Sequence, residues 1–303
     1  MKKKTLFSAL AIVLVAALMF IPAVQTLAIS ALSVFRVGNT KTITVSLTDI
    51  EDAVNYLKQF QGQFSEKDVN SNLAAQNIDK NTAIEDAKSQ VKTLSDVSEF
   101  TAFSFNLPTA LKNETPELYA TDATSKTITV DTTMINDELA KIGVSNLIDN
   151  SYNGSEVTVN VAPSIAAHYT DVDLFATQGA YLDGNNAVIN GLWSNFLQMP
   201  FISDNLRSQL SNIDVMKEDV YLPVIMGLGR ETSIGNTTGY IYTTQDMQQV
   251  LSSLPQDMMP NDGNSTQSPK EGSALIWTKN GVLYCLVANK SDSELTQIAR
   301  SIK

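Results

Sequence analysis

His168 is the only histidine in the sequence, so a histidine-dependent catalytic triad has a single candidate base. Asp171 and Asp173 follow it and could orient its ring, while Ser164 precedes it as a candidate nucleophile. The spacing matches no nucleophile elbow. A hydrolase would need His168 within hydrogen-bond reach of a hydroxyl and an acid in a cleft. A histidine at the end of a surface strand fits the same pattern, and we predict no enzyme.

The sequence predicts neither a metal nor a cofactor. Asp171, Asp173 and Asp183 could offer oxygens to Ca²⁺, but an EF-hand loop needs more acidic positions and a closing glutamate. Gly227-Leu228-Gly229 lacks the third glycine and the following helix of a nucleotide-binding loop, so we interpret it as a turn. Cys285 is the single cysteine and has no partner for a disulfide, which favours a buried apolar role.

A cluster of large apolar side chains, interrupted by Pro200, is our candidate binding site. Such a cluster forms either part of the core or a partly exposed groove for an apolar ligand or peptide. Its members are Trp193, Phe196, Leu197, Met199, Phe201 and Ile202.

Charge excludes one class of partner. The 303-residue chain has a formal net charge of -11, and three of its lysines lie together at Lys2, Lys3 and Lys4. The net charge of the chain after Lys4 is therefore more negative than that of the whole, and this part would repel phosphate backbones and anionic lipid head groups. We predict no binding to nucleic acid.

Residues 5–35 contain no charged side chain. This segment is longer than the roughly 20 residues that a helix needs to cross a bilayer. The preceding lysines favour a cytoplasmic N-terminus and an extracytoplasmic remainder. We predict a retained single-pass anchor. The alternative is a signal peptide cleaved near Ala28, which would release a secreted protein, although apolar residues continue to Phe35.

Four regions follow from these patterns: a cytoplasmic stub at 1–4, the membrane segment at 5–35, a helical juxtamembrane region at 36–98 and an extracytoplasmic domain at 99–303. In the third region, Ser46–Phe60 and Ala83–Leu94 show helical spacing. The polar stretch between them is interpreted as a connection.

For the extracytoplasmic domain we predict an α+β fold in which helices pack on an antiparallel sheet. One N-terminal transmembrane helix precedes this domain. Alternating residues predict the strands and a spacing of three or four predicts the helices. The predicted strands are 100–107, 127–131, 156–162, 231–234 with 239–243, and 274–277 with 282–287; the predicted helices are 134–142, 205–213 and 292–303; and 255–272 is a predicted loop.

Several of these segments together resemble a known family. They are Phe103–Pro108, Thr127–Gly143, the Glu231–Tyr242 hairpin and, most specifically, Ser273–Ile302. Over residues 35–303 the chain resembles the extracytoplasmic domain of unknown function that follows the membrane anchor in bacterial anti-sigma factors. Those proteins carry a sigma-binding domain before the anchor, whereas only residues 1–4 precede it here.

The resemblance implies a membrane-anchored extracytoplasmic binding or sensing module that serves as an accessory to envelope signalling. Its regulatory role would then pass through a separate membrane or envelope protein. Two alternatives remain: a lipid or peptide carrier or chaperone of the cell envelope, which needs an open pocket at the Trp193–Ile202 cluster, and an accessory subunit of a membrane complex.

Overall fold

The computed structural model describes residues 41–53, 91–141, 143–145, 147–178, 180–212, 221–253 and 272–303. The strands are β1 (Lys41–Val45), β2 (Val91–Leu94), β3 (Glu117–Thr121), β4 (Thr124–Thr129), β5 (Glu156–Val161), β6 (Ser164–His168), β7 (Val172–Thr177), β8 (Ala180–Gly184), β9 (Tyr221–Ile225), β10 (Arg230–Ile234), β11 (Thr237–Thr243), β12 (Ser273–Lys279) and β13 (Val282–Ala288). The helices are α1 (Thr132–Lys141), α2 (Asn186–Leu197), α3 (Asp204–Ser211), α4 (Thr244–Ser253) and α5 (Asp292–Arg300), and another helix begins at residue 47.

The predicted α+β class is confirmed, because most strand pairs are antiparallel and helices pack on the sheets. The largest sheet has the order β10-β11-β12-β13-β7-β6-β3-β2, and a smaller one has the order β4-β5-β8. A parallel pair, β1 with β9, stands apart from both.

The two antiparallel sheets share three long strands that bend at the same level. β3 leads into β4, β5 into β6 and β7 into β8, and the register does not slip across the bend: Thr121 lies opposite Ser164, and Thr124 lies opposite Val161. Pro163 lies at the bend and has no N–H for a ladder hydrogen bond. Because no residue is inserted, side chains keep the same alternation of faces in both sheets.

One face of the large sheet carries the main core. Trp277 has no exposed surface, and its ring stacks on that of Tyr284 with centroids 5.1 Å apart. Leu295 and Ile298 of α5 and the buried ring of Phe105 close this core from outside. A second core lies on the same side of the shared strands, where α1 and α2 pack on β4, β5 and β8.

The opposite side of β11 and β12 is covered by a third, smaller core. Val250 of α4, Ile50 of the helix that begins at residue 47, and Tyr242 meet there. The Ile225 N–H donates to the Tyr242 hydroxyl at 3.2 Å, which ties β9 to the sheet. The third core does not extend over β3, β6 and β7, and on this side of the large sheet these strands face solvent.

Strand β1 is held along both edges. It pairs with β9 on one edge, and on the other the Gln209 side chain accepts from the Thr44 N–H at 2.8 Å and donates to the Thr44 carbonyl at 2.9 Å. A single side chain of α3 thus replaces a neighbouring strand.

The C-terminal hairpin and helix are confirmed as predicted. Asn280 and Gly281 join β12 to β13 with φ of 49° and 79°, the left-handed conformation that this dipeptide adopts in two-residue hairpin turns. Ser291 caps α5 with a capping box, in which the Ser291 N–H donates to the Glu294 carboxylate at 3.0 Å. Strands at 127–131, 156–162 and 231–243, and helices at 134–142 and 205–213, are also confirmed within one to three residues.

Two element predictions are wrong. Residues 100–107 form no strand; their aromatic rings instead plug the core beside α5, with Phe100 and Phe103 edge to face at 4.7 Å. The helix predicted at 83–94 is wrong at its C-terminal end: residues 91–94 form strand β2, which joins the sheet beside β3, although they lie before the predicted boundary at residue 99. Residues 83–90 lie outside the described residues. Tertiary contacts, packing at 100–107 and strand pairing at 91–94, override local spacing.

Some predictions fall outside the described residues. They concern the membrane segment at 5–35, most of the helix at 46–60, and the loop at 255–271. Among the residues that the structure does describe, no helix has the length and apolar character needed to cross a membrane.

Candidate functional site

The predicted apolar cluster lies in the second core. Trp193 is 6% exposed, Phe196 4% and Met199 1%, while Phe201 and Ile202 are equally buried and Leu197 packs against them partly buried. The Trp193 and Phe196 rings stack at 5.2 Å. This burial removes the open pocket that the carrier interpretation requires.

Arg207 of α3 closes the cluster from outside. Its guanidinium donates to the Leu197 carbonyl at 2.6 Å and to the Ile202 carbonyl at 2.8 Å. Both carbonyls lie near the C-terminal end of α2 or just beyond it, where backbone oxygens have no helical partner. The cation therefore stabilises the turn between α2 and α3 over the apolar side chains.

A different surface carries exposed functional groups. We call the side of β3 to β8 that faces away from α2 and α5 the open face. Every residue on it is partly or fully exposed, whereas alternate residues such as Leu118, Ile165 and Leu174 are buried in the cores. The open face comprises Glu117, Tyr119, Thr121, Ser125, Thr127, Thr129, Glu156, Thr158, Asn160, Ser164, Ala166, His168, Asp173, Phe175, Thr177, Tyr181 and Asp183.

At the centre of the open face, Tyr119, Ala166 and Phe175 lie side by side on β3, β6 and β7. We call these three residues the central row. Phe175 is 39% exposed, which is unusual for a phenylalanine in the middle of a sheet. The two aromatic residues are two strand spacings apart, about 9.5 Å, with only a methyl group between them. We call the space above Ala166, between these two aromatic side chains, the slot.

Polar groups flank the slot on one side. His168 Nδ1 and Asp173 Oδ1 are 2.6 Å apart, so the carboxylate orients the ring as the sequence suggested. The Tyr119 hydroxyl donates to Glu117 at 3.1 Å, and its ring meets the His168 ring edge to face at 5.4 Å. This network holds one wall of the slot in place.

The hydroxyl partner predicted for His168 is not there. Ser164 lies four residues away on the same strand, roughly 13 Å at the rise of a β-strand, and its hydroxyl bonds that of Thr121 at 2.8 Å. The hydrolase pairing of these two residues is thus not formed. The other candidate sites are also dispersed: Asp183 lies on β8 and Asp171 in the turn before β7, and no group of three metal-ligating side chains occurs among the described residues.

Cys285 lies on β13 beside Phe175 and carries a thiol that is difficult to ionise. Burial raises its pKa to about 12, and the Asp173 carboxylate adds to the shift. Because the thiolate is the reactive form, we expect iodoacetamide at pH 8 to alkylate the folded protein at least about a hundred-fold more slowly than the chain in denaturant. Intact-mass spectrometry over time measures both rates on this single cysteine, and equal rates would contradict the raised pKa of the thiol.

A polar groove of about 440 Å³ lies between β10 and α5. Its charged lining residues already have partners: Asp292 pairs with Arg230 at 2.6 Å, and Arg300 donates to the Ser233 carbonyl at 2.7 Å. The groove thus offers less unpaired chemistry than the open face.

Comparison of the chain with protein-family profiles, with curated proteins and with solved structures finds no match. The resemblance to the outer domain of anti-sigma factors stays a prediction. Sequence reasoning had singled out His168, Asp173 and Ser164 on the open face but missed Tyr119, Ala166 and Phe175, although the alternation in Val172–Thr177 indicates which side Phe175 occupies.

Proposed function

We propose that this chain is an extracytoplasmic binding module, tethered to the cytoplasmic membrane by residues 5–35, that recognises its partner through the open face. The observation that carries the proposal is the exposed Phe175 ring in the middle of a sheet whose other face is sealed by α5. Exposed aromatic groups rimmed by polar ones are characteristic of interaction sites.

The uncharged segment at 5–35, preceded by three lysines, supports the placement outside the cytoplasm. Cleavage near Ala28 would give the same compartment without the tether. With a membrane or envelope protein as the partner, the module would act as an accessory to envelope signalling. The carrier alternative has lost its support, because its cluster is buried.

Site-specific photocrosslinking in intact cells tests the proposal. A photoreactive phenylalanine analogue replaces Phe175 in the full-length chain, and a matched chain carries it at Leu147, which is 46% exposed in the segment after α1. We expect a discrete crosslinked product from position 175 and none from position 147. The product should disappear when untagged parent protein is co-expressed in excess, because the two compete for one partner.

Equal labelling from both positions, or none from position 175, would contradict binding through the open face. A product that forms only in the cytoplasmic fraction would contradict the placement. Activity of an alkaline phosphatase fused after Lys303 checks the compartment separately, since that enzyme needs disulfides that form outside the cytoplasm.

A further inference from the structure

The slot of the central row has the dimensions of a cation–aromatic site. A group held above Ala166 would lie about 5 Å from each of the two strands that carry Tyr119 and Phe175, within reach of both side chains. Ammonium groups bind aromatic rings when they lie within about 6 Å of the ring centre. A larger side chain in place of Ala166 would fill this space.

The charges around the slot select the sign of the ligand. The open face carries four carboxylates, those of Glu117, Glu156, Asp173 and Asp183, and none of its positions is a lysine or arginine. Two basic side chains elsewhere in the large sheet are already engaged: Lys92 on β2 pairs with Asp122, and Lys279 on β12 donates to the Ile302 carbonyl at 2.6 Å, on the α5 side. The face therefore repels anions and attracts cations.

We propose that the central row binds the ammonium group of a lysine side chain presented by a basic partner protein. This inference rests on the proposed function and specifies the chemistry of its partner. The slot is open to solvent, and the acidic surface continues past the bend to Glu156 and Asp183. That width suits the surface of a protein with several basic side chains better than one small amine.

Binding of short peptides to the full-length chain in detergent micelles tests the inference. The probe is a fluorescent pentalysine amide, and the control is the same peptide with every side chain acetylated, which keeps the length but removes the charge. Fluorescence anisotropy gives the two affinities at low and high salt. We expect binding of the charged peptide only, and weaker binding at high salt.

Leucine variants separate cation–aromatic binding from apolar contact. Tyr119→Leu and Phe175→Leu keep an apolar side chain but remove the ring, and each should weaken pentalysine binding about two- to five-fold. The double variant should lose roughly the product of the two effects. Met226→Leu changes an exposed apolar residue outside the open face and should leave the affinity unchanged.

Three results would overturn the inference. They are equal affinity for the acetylated peptide, unchanged affinity in both leucine variants, and tetramethylammonium competing as strongly per charge as pentalysine, which would indicate a small-amine site. Failure of peptide binding together with a position-175 crosslink would leave the proposed function standing and remove only the lysine chemistry. Peptide binding without a crosslink at position 175 would contradict the proposed function and leave only the affinity of the central row for lysine.

Discussion

Replacing Phe196 by alanine should lower the free energy of unfolding by about 3–5 kcal/mol, because the ring is 4% exposed and touches both Trp193 and Phe201. Alanine leaves a cavity that the sheet and α2 cannot fill without moving. Urea denaturation of the full-length protein in micelles, followed by tryptophan fluorescence, measures the change.

Phe175→Ala is the matched control for this prediction. The same atoms are removed from a ring that is 39% exposed, so we expect a loss under about 1 kcal/mol. If Phe196→Ala cost no more than Phe175→Ala, the cluster from Trp193 to Ile202 would be a loosely packed groove, and the carrier interpretation would regain its basis.

Trp277→Ala should have a comparable effect on the main core, again about 3–5 kcal/mol. The indole is fully buried and stacked on Tyr284, and its strand β12 lies between β11 and β13. Its loss should unfold the large sheet at a lower denaturant concentration, seen in the far-ultraviolet circular dichroism of the strands.

Trp277→Phe distinguishes ring stacking from the indole N–H. No acceptor for Nε1 of Trp277 lies within hydrogen-bond distance among the described residues, so removing the N–H relieves a buried unpaired donor. We expect a loss well below that of Trp277→Ala. Equal losses in the two variants would contradict stabilisation of the core by an aromatic ring stacked on Tyr284.

Sequence patterns predict the elements whose determinants are local. The hairpin at Asn280-Gly281 needs only a dipeptide that tolerates positive φ, and α5 needs only Ser291, Glu294 and an apolar stripe. By contrast, β1 pairs with β9 across most of the chain, and nothing near Lys41 or Tyr221 specifies that contact. The pairing of strands that lie far apart in the sequence therefore could not be predicted from local patterns.

The candidate site shows the same limit. Phe175 and Phe196 both stand among apolar neighbours, and only the register of β7 and the packing of α2 place one outside and the other inside. A shift of one residue in β7 would turn Phe175 from the open face into the core. His168 and Asp173 were recognisable because acid and base lie close in sequence; the slot was not, since its walls come from strands more than fifty residues apart.

The clamp of Gln209 and β9 on β1 has a consequence for reach. With residues 5–35 in the bilayer, only residues 36–40 separate the membrane from a strand that is fastened on both edges. Five fully extended residues span at most about 18 Å. With the proposed anchor, β1 would lie within about 18 Å of the membrane surface, which would limit how far the whole domain could move away from the lipid.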